Sequence, residues 1–360
     1  MRERQLRKDK VRKSACVIFT TAHRFLRSDE RLFHSEDHVL GTVENAMRDV
    51  LSRYAPYLAE CRTAISQDLA NAPLGPILSE YFERGKMLRP LLLFVSTAAV
   101  GGRPGDVIAA AQSLELLHAA SLIHDDIIDQ ALERRGRESL HLRIGIGPAV
   151  VLGDYLILRS YTVFGKMTSG RVLEALGVLS ECAEECCRGQ IGELTSATGD
   201  GEETYFSIVR GKTASQFIAA ATVGGILGNG VPHQIEALRT FALNTGISFQ
   251  IRDDELDVAG EERMCHLPED SWPRRPTLPL IYLKKYGSET VFQKFGQMQR
   301  DGNTNSELLE LLQDEGILDR LRTVKEQHLQ LAVKALDCFG NSEEANAMIA
   351  MAHQVISRNS

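Results

Sequence analysis

From about Met47 onward, apolar residues recur three and four positions apart, first through Leu51, Tyr54, Leu58 and Ile65. That spacing marks one face of an α-helix. The same pattern predicts helices over residues 88–100, 106–129, 149–168, 171–194, 203–228, 233–258, 276–286, 306–313 and 317–338, and an Ala- and Met-rich stretch over 341–358 reads as one more. Turn signals separate them at Gly101-Gly102, Gly145 to Pro148, Gly199 to Gly201 and Gly228 to Gly230. No run of strand-like alternation occurs. The expected fold is all-α, a bundle of roughly ten or more helices. No linker divides it, so residues 46–360 read as a single domain. Residues 1–45 read as a poorly determined basic N-terminal extension. Its first thirteen residues, MRERQLRKDKVRK, lead into no apolar segment, so they suggest a solvated tail rather than a secretory signal.

Composition narrows the function classes. The 360 residues carry 41 basic and 48 acidic side chains, net −7, which argues against nucleic acid as a partner. Mean hydropathy is −0.15. The longest uncharged stretch, Thr213 to Pro232, is broken by glycines and by Ser215, Gln216 and Asn229. It reads as a buried helix with a turn, and the chain as not transmembrane. Seven cysteines are an odd count, and Cys182, Cys186 and Cys187 lack the paired Cys-x-x-Cys spacing of a zinc site. Reduced thiols and a cytoplasmic setting are expected.

One short pattern occurs twice. Asp-Asp-x-x-Asp appears as Asp125, Asp126 and Asp129 in LIHDDIID, and as Asp253, Asp254 and Asp257 in FQIRDDELD. Each copy closes an apolar helical segment, and its outer aspartates lie four apart on one helix face. Three crowded carboxylates repel unless water or a cation relieves them. Flanking Leu122, Ile123, Ile127, Ile128, Phe249, Ile251, Leu256 and Val258 make a purely solvated face a poor reading. Hard divalent cations suit such oxygens, and Mg²⁺ binds one or two carboxylates together with phosphate oxygens. Basic groups stand near turns around both copies. Lys86 and Arg89 sit at a predicted helix start, Arg134, Arg135 and Arg137 follow the first acidic motif, and Lys212 with Thr213 is expected at the N-terminus of an apolar helix. Arginine forks pair with phosphate oxygens two at a time.

Together these motifs resemble the trans-isoprenyl diphosphate synthases, or polyprenyl synthetases, over residue 50 to the end. GKMLRP, HDDIID followed by ERRG, GDYLIL, GKTASQF, FQIRDDELD and PTLPLIYL fall in that family's order. The resemblance implies an all-α isoprenoid synthase fold around a central cavity, a homodimer, more than one Mg²⁺ ion, and elongation of an allylic diphosphate with isopentenyl diphosphate. It implies that Asp125, Asp126, Asp129 and Asp253 bind metal, with Asp254 and Asp257 completing the second cluster. It assigns Arg134, Lys212 and Gln250 to the allylic diphosphate, and Lys86, Arg89 and Arg135 to isopentenyl diphosphate. A histidine that the family usually carries after the lysine-arginine motif is missing from LLLFVSTAAV, and His118 leaves that contact open. A second departure lies between the second acidic motif and Pro276. Asp270 is in place, but Cys265 stands where the family has lysine, with Arg263, Arg274 or Arg275 as candidate substitutes.

The expected chemistry is ionisation of the allylic C–O bond, attack by the isopentenyl double bond, and loss of a proton to the departing diphosphate. On the wall beneath Asp125, Leu117, Ala120 and Ser121 are the chain-length positions. Small Ala120 and Ser121 predict products beyond C15, in the C30–C50 range, with C20 (geranylgeranyl) next. Three competing readings are a class I terpene cyclase on the same fold, a non-catalytic partner subunit and a plain helical scaffold. A cyclase has no use for Lys86, Arg89 and Arg135.

Overall fold

The structure is a computed structural model that describes residues 36–83, 85–134, 136–196, 201–259, 277–291, 293–295 and 305–357. Arg135, and the segment with Arg263, Cys265, Asp270, Arg274, Arg275 and Pro276, lie outside the described residues, as does most of the 1–45 extension.

The helices are α1 (Glu36–Leu69), α2 (Gly75–Glu83), α3 (Leu88–Ala99), α4 (Ile108–Ile128), α5 (Leu140–Ile144), α6 (Ile146–Phe164) and α7 (Val172–Thr195). They continue as α8 (Glu202–Val209), α9 (Ser215–Leu227), α10 (Pro232–Ala259), α11 (Leu278–Tyr286), α12 (Asn305–Asp314), α13 (Ile317–Ala335) and α14 (Glu343–Ser357). Among the described residues the only sheet is one small hairpin. Its strands β1 (Glu133–Arg134) and β2 (Arg137–Glu138) pair Arg134 with Arg137 around Gly136, whose φ is +75°. The all-α expectation holds.

Most predicted segments match a helix to within a few residues. Three differ. Helix α1 starts at Glu36, well before the periodic pattern becomes visible at Met47. Helix α2 was not anticipated, because Gly75-Pro76 reads as a turn and the segment buries little more than Leu78 and Phe82. The predicted 203–228 helix is α8 and α9 joined without a break by a π-helical segment, Arg210–Ala214. Lys212 therefore lies inside continuous helix, not at a helix N-terminus with open N–H groups. The apolar run that follows Thr213 suggests a helix start there, but α8 leads into it without a break.

Helix α9 is the hub. It packs against α3, α7 and α10, and every one of its residues is buried except Gln216, which is half-buried. A helix apolar all round belongs in a core, as expected for the 213–232 stretch. Around it, α4 lies along α6, and α14 closes over α1 and α3. Phe94, Phe164 and Phe241 are fully buried in this first core. A second, smaller core gathers Tyr205, Ile247, Ile251, Leu278, Leu312 and Leu321 beneath α10–α13. Helix α10 spans both, with Leu238 and Phe241 in the first and Ile247 and Ile251 in the second. One described segment, Pro104–Ile128, is long and apolar enough to cross a membrane, and most of it is buried inside the protein.

Candidate active site

Both acidic motifs stand near the C-terminal end of a core helix. At the end of α4, Ile123 and Asp126 are buried, Asp125 is partly exposed, and Asp129 is exposed as the C-cap, its N–H bonding the Asp125 carbonyl at 2.8 Å. Asp126 turns inward to Arg134 of the hairpin, whose Nε donates to Oδ1 at 2.7 Å and whose Nη2 also contacts Oδ1. Burial pushes the Asp126 carboxyl above its usual range, and the Arg134 contact opposes that rise. A buried carboxylate that keeps its charge needs such a partner.

Asp125 is met by Lys212, with Nζ 2.8 Å from Oδ1. The same ammonium lies 2.7 Å from Glu193 Oε2 on α7. Lys212 can reach both because α7 and the π segment touch backbone to backbone. A Cβ on Gly189 would collide with the Lys212 amide nitrogen and stand 2.9 Å from the Gly211 carbonyl carbon. A Cβ on Gly211 would stand 2.7 Å from the Glu185 carbonyl oxygen. Only glycines allow this approach. The π register itself often marks functional sites.

The next residue reaches the second motif. Thr213 Oγ1 donates to Gln250 Oε1 at 2.7 Å, and Gln250 Nε2 donates to Asp254 Oδ1 at 3.0 Å. Asp254 also accepts from the Tyr205 hydroxyl at 2.8 Å and from the Leu278 N–H at 3.1 Å. The PTLPLIYL stretch thus closes on the second acidic motif. Burial pushes the Asp254 carboxyl up to about 6, against these three hydrogen bonds. Asp253 and Asp257, one turn apart on α10, are partly exposed. Of these consecutive residues, Lys212 therefore contacts the first acidic motif directly, and Thr213 is linked to Asp254 of the second through Gln250.

The basic edge is built from α2, α3 and the hairpin. Lys86 is exposed just before α3, and Arg89 lies in its first turn with its guanidinium 5.4 Å from the Phe217 ring centre. Between them Met87 is buried in the left-handed conformation, φ +53°. A non-glycine residue pays roughly 1–2 kcal/mol for that backbone. Arg62 of α1 holds the loop from outside, donating to the carbonyls of Phe82 and Glu83 at 3.3 Å and of Gly85 at 2.6 Å. Glu80 of α2 pairs with Arg137 of the hairpin and with Arg143 of α5. It fastens the strand after Arg134 to the helix that leads into Lys86.

The predicted residues thus fall into two linked groups. Asp125, Asp126, Arg134, Lys212, Thr213, Gln250 and Asp254 are joined directly by the contacts above, while Lys86 and Arg89 approach from α3. Glu193, Tyr205, Arg62 and Glu80 were not anticipated. Glu193 follows Gly189-Gln190, and an acid within a glycine-bearing helix was the one available signal. Tyr205, Arg62 and Glu80 act through tertiary contacts that no sequence spacing encodes. Among the described residues no three His, Cys, Asp or Glu side chains converge as a ready-made metal site. The exposed Asp129 and the partly exposed Asp125, Asp253 and Asp257 offer only hard oxygen donors. That set fits a cation sharing its coordination with phosphate oxygens and water better than one caged by protein alone.

The polyprenyl synthetase family model matches residues 72–314. A short chain isoprenyl diphosphate synthase of Methanothermobacter thermautotrophicus is 32% identical over 318 residues, covering 86% of this chain and 98% of the relative. The octaprenyl diphosphate synthase of Escherichia coli is 29% identical over 281 residues, covering 76% and 86%. The crystal structure of a polyprenyl synthase from Caulobacter crescentus, complexed with calcium and isoprenyl diphosphate, superposes with a TM-score of 0.78 at 25% identity, covering 87% and 98% of the two chains. With its paired acidic motifs and their basic complement carried on that fold, the chain belongs to the polyprenyl synthetase family and is a prenyl-transferring enzyme.

Proposed function

We propose that the enzyme condenses isopentenyl diphosphate with an allylic diphosphate in the presence of Mg²⁺, releasing diphosphate and a longer trans-prenyl diphosphate. The observation that carries this reading is the pair of neighbours Lys212, paired with Asp125 of the first acidic motif, and Thr213, linked through Gln250 to Asp254 of the second. One short segment is thus linked to both clusters, which supports a diphosphate held between them.

Asp125, Asp129, Asp253 and Asp257 would hold the metal ions. Asp126 and Asp254, engaged by Arg134 and by the Tyr205–Gln250 network, would fix the helix ends that present them. Bound Mg²⁺ supplies charge neutralisation for the leaving diphosphate. Arg134, Lys212 and Gln250 orient the allylic diphosphate and stabilise the negative charge that grows as its C1–O bond breaks. Lys86 and Arg89, with Arg135, anchor isopentenyl diphosphate so that its double bond faces that carbon. The new C–C bond forms, a proton leaves the adjacent carbon for the departing diphosphate, and no protein nucleophile takes part.

The product reading is a polyprenyl diphosphate beyond C15, in the C30–C50 range, supported by the small side chains of Ala120 and Ser121. A C20 product is the second reading. What favours it is Gln216, which reaches across to Ser121 and narrows the space there. A homodimer in the cytoplasm completes the proposal. Val151 and Leu158, two turns apart on α6, are 66% and 69% exposed, which supports a second copy on that face. The described cysteines are all free thiols, which supports a reducing compartment.

The test is the purified protein with labelled isopentenyl diphosphate, Mg²⁺ and each allylic primer in turn, with products sized by mass spectrometry. Isopentenyl-dependent products that vanish in excess EDTA are expected. Cyclic products from the allylic diphosphate alone would replace elongation with the cyclase reading.

A further inference from the structure

The contact between Lys212 and Asp125 is the first rung of a ladder. Four residues on from Lys212, Gln216 Nε2 lies 3.2 Å from the Oγ of Ser121, four residues back from Asp125. Both steps are one helical turn, so α9 and α4 run antiparallel here and the second rung sits about 5.4 Å below the first. The same Gln216 nitrogen is 3.6 Å from Cys186 Sγ on α7. One amide thus spans α4, α7 and α9 directly beneath the acidic motif. Gln216 is also the residue of α9 that is not fully buried, and its Oε1 has no hydrogen-bond partner among the described residues. A shielded amide oxygen left unpaired is costly, so this side chain is not there for core packing. Ser121 is held in turn by its own bond to the His118 carbonyl at 2.9 Å. The next residues along the ladder are Ala220 and Leu117, both apolar.

We infer that Gln216 is a specificity-determining residue for product length: its amide rung is a constriction that a growing prenyl chain meets one turn below the diphosphate, and it biases the product toward the shorter, C20 reading. This rests on the elongation reading above. The sequence places small Ala120 and Ser121 at this depth and so leaves the wall open. The structure fills the opening from the opposite helix. An apolar chain passes the rung only by parting the amide from Ser121 and Cys186 without replacing those bonds. Shorter chains end above it at no such cost.

The test compares main product size for wild type, Gln216→Ala, Gln216→Phe and Ser121→Ala, with one primer and excess labelled isopentenyl diphosphate. Gln216→Ala is expected to lengthen the main product by one or more isoprene units. Gln216→Phe is expected to shorten it. Ser121→Ala removes a single hydroxyl from a helix, so it keeps the test open if a Gln216 variant fails to fold, and it too is expected to lengthen the product. A wild type that elongates, with folded variants giving its same product length, overturns this inference and leaves the activity standing. A wild type with no isopentenyl-dependent product overturns the elongation reading, and this inference with it.

Discussion

Adjacent aspartates of one motif differ in what they touch, and so should differ when removed. Asp254 accepts from Tyr205, Gln250 and the Leu278 N–H, and its side chain is buried. Asp254→Ala leaves those donors without an acceptor and is expected to destabilise the protein by roughly 2–4 kcal/mol. Asp253→Ala, at a partly exposed position, should leave the melting temperature within about 2 °C of wild type while kcat falls by about two orders of magnitude or more. Thermal melts followed by circular dichroism, beside steady-state rates, separate the two. Equal destabilisation in both variants would mean that the whole motif is structural. The sequence shows the carboxylates as equivalents because spacing reports which helix face a residue shares, not what waits opposite it. In the first motif the same holds: Asp126 meets Arg134 and Asp125 meets Lys212.

At the scale of elements, most helices were legible because each buries one continuous stripe over several turns, and a period of 3.6 residues survives in the letters. What escaped was short or off-register. Helix α2 has too few buried positions to display a period. The Arg210–Ala214 segment differs from an α-helix in hydrogen-bond register, which hydrophobic spacing does not record. Its position instead depends on two glycines in different elements. Gly189→Ala drives a methyl group into the Lys212 and Gly211 backbone of the π segment and to 3.0 Å from the Ile208 carbonyl oxygen at the end of α8. Backbone cannot swing aside as a side chain can. The expected cost is about 1–3 kcal/mol in stability. Lys212 is displaced as well, and kcat should fall by about tenfold or more. Melting and turnover measured on the same preparation check this. An unchanged kcat would show that Lys212 holds its place without that crossing.

For the whole molecule, the exposed apolar side chains of α6 carry the assembly prediction. If the proposed homodimer forms on this face, Val151→Lys combined with Leu158→Lys shifts it to monomer in sedimentation velocity, with its helical circular dichroism intact. A wild type that sediments as a monomer would remove α6 as an interface. The geometry of the described part of the site, by contrast, depends on counting. A π turn is an α-helix with one residue added. Take that residue away and everything after it rotates by about 100° about the axis relative to everything before. Lys212 and Thr213 could then no longer keep their contacts to Asp125 and Gln250. The phase of a single inserted residue thus sets how Lys212 and Thr213 meet the two acidic helices, and relatives of this chain should tolerate changes of side chain between residues 210 and 214 far better than a change of length.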